Sequence, residues 1–491
     1  MIGHSFPEYV FIRLCIVCLR LIAPLSITYV AACIYSGRWL YSPWIGYAAC
    51  VEASFYLFVY LPRSYWLQKS ATPPEPLTRE ERETLFAKCF ARVRDTDLAT
   101  GWFYFSPSHA IRRENVVEWI LWAFFSSSRD QLRDEWREEI EEYIHALENL
   151  LGRKIEPGRN QEIDCMKVSL DPVTSLHRPF LWYCIVYLVD TYTTLYLAFH
   201  GFRHYTLHRW FCYFPIRVLS TVWTRSPHPQ LSYWYRPHRS KTKKPIIFLH
   251  GIGIGLWPYL PFLQELAAQD PDVGILAFEN FPMSMRISPP PLTRLAMLDA
   301  MQVVLKHHDI DEFVVCGHSY GTVLAAHIMR SPTLAQRVTA WLLVDPIPFL
   351  LHLPAVAYNF VYRAPRTANE WQLWYFASRD PDIARALARH FFWAESILWR
   401  EDLAGRRVGV VLSGRDQIVD ADEVRRYLTL DADPAPRWVA DPGDIALEVL
   451  WYPDLDHSKV FDTARDRAPM VEMMKRFVDS PALEPKPGLA N

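Results

Sequence analysis

From residue 245 onward, short apolar runs alternate with stretches of helical period. The runs 245–249, 273–278, 313–316, 338–344, 407–412 and 447–451 predict strands, and 257–268, 292–307, 322–329, 421–430 and 467–478 predict helices. Continuous apolar strands separated by helices predict a parallel sheet covered on both faces. The first seventy residues are different. Residues 21–36 are almost wholly apolar, 39–61 form a second apolar span, and Gly37-Arg38 joins them. Each approaches the ~20 residues needed to cross a bilayer, so the pattern predicts a membrane hairpin. Arg20 clips the first span and Glu52 lies inside the second, where an ionisable group needs a partner. A third apolar stretch, 178–202, carries Asp190 near its middle and predicts an interfacial or buried helix rather than a crossing.

Between these regions the period is helical and the surface charged. Thr78-Arg79-Glu80-Glu81 reads as a capping box with Thr78 as N-cap. Leu132, Trp136, Ile140, Tyr143 and Leu147 fall on one stripe of a helix whose acidic run reads as a solvated face. The organisation is thus a membrane anchor over 1–70, a mainly helical region over 71–240 and an α/β region over 241–480. A helical insertion occupies about 346–405, and a tail follows at 481–491. Arg13, Arg20, Arg63, Lys69 and Arg79 flank the hairpin against Arg38 alone in its loop, which predicts both ends and the α/β region on the cytoplasmic side. The basic connector Arg236, Arg239, Lys241, Lys243 and Lys244 reads as a solvated loop or as a contact for anionic headgroups.

The 491 residues exceed one ordinary core, so two or three structural units are expected. Aromatics reach 14% with 19 tryptophans, which suits contact with lipid or an apolar substrate. A net charge of −2 gives no field to recruit nucleic acid. The nine cysteines are scattered and odd in number, which predicts free thiols and no metal cluster.

The chemistry centres on Gly317-His318-Ser319-Tyr320-Gly321, a G-x-S-x-G between an apolar strand and a helix former. That setting makes Ser319 a candidate nucleophile on a tight turn. A serine hydroxyl needs a base, and the base an orienting carboxylate. His457, after the last strand, and Asp416, after the strand at 407–412, both fall on loops at carboxyl ends of strands. Asp345, at the end of the strand after the elbow, is the alternative acid; otherwise it caps a helix ahead of Pro346. The run His250-Gly251-Ile252-Gly253-Ile254-Gly255 can turn backbone amides towards a developing oxyanion. Ile252 is the favoured donor there, Gly251 its neighbouring alternative, and Tyr320 the second donor. The run lacks dinucleotide spacing.

In their order HGIGIG, GHSYG, SGRDQIV and DLDHSKV, these motifs resemble the α/β-hydrolase superfamily in its esterase, lipase and peptidase branch. The resemblance covers 245–478 and implies an α/β-hydrolase fold with a mostly parallel central sheet and a helical cap at 346–405. It also implies Ser319, His457 and Asp416 as catalytic residues, amides near Ile252 and Tyr320 as the oxyanion hole, and no metal or organic cofactor. Serine at the elbow argues against the dehalogenase and epoxide-hydrolase relatives, which carry aspartate there. The expected activity is hydrolysis of a small-molecule carboxylic ester, lipid-like in view of the apolar N-terminus and the aromatic insertion. Acyl transfer from the same acyl-enzyme, or a non-catalytic membrane scaffold, are the alternatives. The sequence does not define the oligomeric state.

Overall fold

The computed structural model describes residues 2–91, 98–209, 211–217, 224–440 and 446–479; the tail at 481–491 lies outside them. Its centre is one ten-stranded sheet. In chain order the strands are β1 (Arg203–Thr206), β2 (Thr224–Arg225), β3 (Ser232–Arg236), β4 (Ile246–Leu249) and β5 (Ile275–Glu279), followed by β6 (Phe313–His318), β7 (Val338–Val344), β8 (Arg407–Ser413), β9 (Arg437–Val439) and β10 (Ala446–Tyr452). They lie in the order β2-β1-β3-β5-β4-β6-β7-β8-β10-β9. From β5 to β10 every pairing is parallel, whereas β3 on β5 and β9 on β10 are antiparallel. The six strands read from the apolar runs are β4 to β8 and β10.

The sheet begins ahead of residue 241. Tyr233, Trp234 and Tyr235 of β3 are buried and pair with β5, extending the sheet through a segment expected to be mainly helical. Aromatic side chains suit a pleated, covered surface, and here the sheet's edge supplied it. Alternate residues of β4 face opposite layers. Ile246 and Phe248 pack towards the helices Leu260–Gln269 and Ala464–Val478. Ile247 and Leu249 point into the larger core, which also takes in the helices Arg294–His307 and Tyr320–Met329.

That larger core continues into the N-terminal half. The helices Arg79–Phe90, Arg113–Phe125 and Arg137–Leu151 share it, with Phe86 stacked on Tyr143 at 4.2 Å. Thr78 caps the first of them through a capping box. The acidic face of the third is only partly solvated: Glu139 is buried, pairs with Arg82 at 2.6 Å and accepts the Tyr143 hydroxyl. Helix packing thus uses a face that the charge pattern assigned to water. The basic connector is also engaged, Lys243 with Asp270 and Asp479, and Lys244 with Glu312.

Among the described residues, three helices are long and apolar enough to cross a membrane: Phe6–Ser36, Pro43–Leu67 and Phe180–Phe199. The last has two unlike faces. Leu181, Ile185, Leu188, Tyr192, Leu195 and Phe199 form an exposed stripe, while Trp182, Tyr183, Val186, Asp190 and Leu197 are buried. Asp190 pairs with Arg217 at 2.5 Å and Arg286 at 3.0 Å, and Arg217 also pairs with Glu279 of β5. His204 of β1 contacts the same Glu279 at 3.0 Å. The mid-helix carboxylate therefore fastens an apolar helix to the sheet. Glu52 is partnered too: it is buried, accepts the Phe180 amide at 2.7 Å and meets His177 at 3.1 Å, capping the third helix from the second.

Breaking one member of a buried ion network leaves the others uncompensated, at a cost of about 3–5 kcal/mol. Asp190→Ala is therefore expected to lower the thermal unfolding midpoint of the detergent-solubilised protein clearly. An unchanged midpoint contradicts a buried Asp190–Arg217–Glu279 chain.

Candidate active site

β6 ends at His318, and the helix Tyr320–Met329 begins immediately afterwards, so Ser319 must turn the chain within one residue. It does so at φ 51°, ψ −122°, a conformation disfavoured for a side-chain-bearing residue. Its neighbours make the turn possible. A Cβ on Gly321 would lie 2.0 Å from the Leu249 carbonyl oxygen of β4, and one on Gly317 3.0 Å from the Gly321 carbonyl. Ser319 is further held by its amide, which donates to Val344 of β7 at 2.9 Å.

The strained turn points the hydroxyl at His457. Ser319 Oγ lies 2.8 Å from His457 Nε2, and His457 Nδ1 lies 2.6 Å from Asp416 Oδ2. A carboxylate oxygen only accepts, so Nδ1 carries the hydrogen and Nε2 faces the serine. Asp416 is fixed in turn by its Oδ1, which accepts the Ile418 and Val419 amides at 2.8 and 3.0 Å.

Asp345 does not cap a helix. It is buried, at φ 44°, and its two oxygens accept the amides of Ser413 at 3.1 Å and Ser458 at 2.8 Å. These bonds tie together the two loops that carry Asp416 and His457. Asp345, Asp416 and His457 have ligand-type atoms within 4.8 Å of one another. That grouping would suit a metal by proximity, but the carboxylate oxygens already hold N–H donors. Burial works against charging His457, and the Asp416 carboxylate, helped by Asp345, outweighs it and holds the ring up to about 9.

The glycine-rich loop after β4 lies against the same serine. A Cβ on Gly251 would come within 2.8 Å of Ser319 Cβ. The Gly251 amide is engaged, donating to the Tyr259 hydroxyl at 3.0 Å, and that hydroxyl contacts His318 Nδ1 at 2.8 Å. The amides of Ile252 and Tyr320 have no acceptor among the described residues. Of the three candidate donors, Gly251 is thus occupied and the other two are available. Burial pushes His318 down to about 4, against the pull of Asp345, so it is a neutral member of this chain.

Two contributors escaped the sequence reading. Asp456 is buried and accepts the amides of Gln417 at 3.1 Å and His457 at 2.7 Å. It also accepts Asn369 Nδ2 at 2.6 Å, which links the insertion to the His457 loop. The only sequence signal is the second aspartate of Asp454-Leu455-Asp456-His457, and spacing does not tell it from the first. Tyr259, read as part of a helix, gives no hint that its hydroxyl meets the serine loop.

The insertion at 346–405 covers the site. Two groups of its aromatic residues stand apart. Phe360, Phe391, Phe392 and Trp393 line a cavity of about 1200 Å³ that contains Ser319, Tyr320, Ile252 and Ile418. Trp371, Trp374 and Tyr375 instead pack around Ile12 and Ile16 of the Phe6–Ser36 helix, with Arg13 over Trp371 at 3.9 Å.

Residues 246–481 match the model of a family described as the alpha/beta hydrolase family. No curated protein matches the chain. Among solved structures, a carboxylesterase from the thaumarchaeon Nitrososphaera gargenis is 15% identical, covers 51% of this chain and 97% of its own, with a TM-score of 0.34. A membrane phospholipase A described as a bacterial virulence factor is 12% identical, with 61% and 93% covered and a TM-score of 0.37. An esterase from Pyrococcus furiosus is 16% identical, with 50% and 88% covered and a TM-score of 0.34. From 246 to 481, where the strained serine, the histidine and both aspartates lie, the chain belongs to the alpha/beta hydrolase family.

Proposed function

We propose that this protein hydrolyses carboxylic esters of lipid-like substrates at a membrane, with Ser319 as nucleophile, His457 as base and Asp416 as orienting acid. The observation that carries the reading is the unbroken contact chain Ser319–His457–Asp416, at 2.8 and 2.6 Å, on a backbone strained at the serine. Ser319 Oγ attacks the carbonyl carbon as its proton passes to His457 Nε2. The carbonyl oxygen gains the electron pair and takes the free Ile252 and Tyr320 amides, each such donor being worth about 2.7–4 kcal/mol of barrier. Collapse expels the alcohol, which receives the proton from His457. Water then attacks the acyl-enzyme, with His457 again taking the proton, and releases the acid. Asp345 is a positioning residue in this scheme, joining the two loops and adding negative charge behind the base.

The lipid-like character rests on the apolar cavity and on the three apolar helices. The charge bias around the first two favours a cytoplasmic face for the site. The substrate is a small molecule; no part of the reading calls for nucleic acid, a metal or an organic cofactor.

A fluorophosphonate probe is expected to label the detergent-solubilised protein at Ser319, and Ser319→Ala to abolish the label. An unlabelled wild-type protein would favour a scaffold. Labelling without ester turnover, but with transfer to an added alcohol or thiol, would assign acyl transfer. Asp416→Asn should lower kcat by about four orders of magnitude, through loss of the required tautomer. Asp345→Asn should cost far less; the reverse ranking would hand Asp345 the orienting role.

The base must be neutral to act, so kcat/KM should rise with pH along a limb centred near 9, where His457 loses its proton. The Asp345 charge favours the imidazolium, so Asp345→Asn should move that limb to lower pH. A limb that stays in place in this variant would assign it to another group.

A further inference from the structure

We infer that the helical region at 98–170 forms the distal wall of the acyl site and sets the chain length of the substrate, which is a long-chain acyl ester. This rests on the proposed role of Ser319. The cavity around that serine, about 1200 Å³, exceeds the roughly 300–1,000 Å³ of ordinary small-ligand sites. The α/β region and its insertion supply one part of the lining, including Ile252, Ile418, Phe360 and Leu387. The same cavity is also lined by Trp102, Trp122, Ala123, Phe124 and Val168, from a part of the chain far upstream of every residue assigned to the chemistry. A short acyl group on Ser319 leaves most of this space empty, and a long one fills it.

The distal wall is built around aromatic and aliphatic side chains, with Ser126, Ser127, Gln131, Arg133 and Ser169 also on the cavity lining. The Trp102 and Trp122 rings pack with centroids 5.1 Å apart. Both spend their indole N–H groups inside the protein, Trp102 on the His352 carbonyl at 3.1 Å and Trp122 on Ser169 Oγ at 3.1 Å. Trp393 of the insertion reaches back to the Ala123 carbonyl at 2.9 Å. The seam between insertion and N-terminal helices is therefore stitched on either side of the apolar space. The exposed part of the lining includes Thr72, Pro73 and Glu75, in the segment that leaves the apolar helix Pro43–Leu67. One exposed side of the cavity therefore adjoins the chain's candidate membrane contact, where a long-chain ester would arrive. Each methylene newly buried along such a wall is worth about fourfold in kcat/KM.

The test compares kcat/KM for p-nitrophenyl esters of four and sixteen carbons on the full chain in detergent. The wild-type protein should prefer the longer ester. Ala123→Trp and Val168→Phe, which fill the distal wall, should each lower the sixteen-to-four ratio at least tenfold. A small fluorophosphonate reports whether each variant keeps a folded, reactive Ser319; should Ala123→Trp fail to label, Val168→Phe carries the comparison. Labelled variants with an unchanged ratio would overturn the distal wall while leaving ester hydrolysis in place. A wild-type protein that turns over neither ester would overturn the hydrolase reading itself, and the inference with it.

Discussion

The approach of one backbone to another governs this molecule. Gly321 lets the helix after β6 descend until its chain meets the Leu249 carbonyl of β4, and no side chain fits between. That contact forces Ser319 into its positive-φ turn and brings the glycine-rich loop after β4 to the serine's flank. The amides of Ile252 and Tyr320, without an acceptor among the described residues, and the serine hydroxyl are brought together by one packing constraint. The strain at Ser319 is stored where the sheet can hold it, since β7 takes the serine amide and the loops after β7, β8 and β10 are joined through Asp345.

Much of the α/β half was legible because its signals are local. A buried parallel strand must be apolar on both faces, and the elbow needs glycine at two fixed positions. Ser319, Asp416 and His457 could be named because each ends or follows such a strand. Asp345 was legible as a carboxylate at a strand end but not in its role, because its partners are amides 68 and 113 residues further along the chain. Asp456 and Tyr259 were invisible for the same reason: their parts depend on loops meeting in space. β3 was missed because three aromatics before a basic stretch give no period, and only the exposed edge of β5 makes them a strand.

The N-terminal half illustrates the limit more sharply. Apolar length predicted helices, and acidic spacing predicted a wet face. The structure spends several of those polar groups on contacts between helices. Glu52 caps a helix, Asp190 meets two arginines, and Glu139 binds Arg82. Charges that look costly in an apolar span, or idle on a helix surface, are here the fasteners between layers. They make the apolar helices part of the body that holds the serine rather than a tether to it.

The insertion over the serine is held from several directions. Arg385 reaches the Trp66 carbonyl at 3.0 Å, Arg389 reaches Lys69 at 3.0 Å and Asp171 at 2.9 Å, and Arg363 reaches Gln417 at 2.9 Å. The insertion is thus fastened to the end of the helix Pro43–Leu67 and the segment that follows it, to the N-terminal half at Asp171 and to the loop that carries Asp416. In the proposed reading, an insertion pinned at so many points would leave a long acyl chain to thread the cavity lengthwise, and its product would leave more slowly with every carbon to be withdrawn.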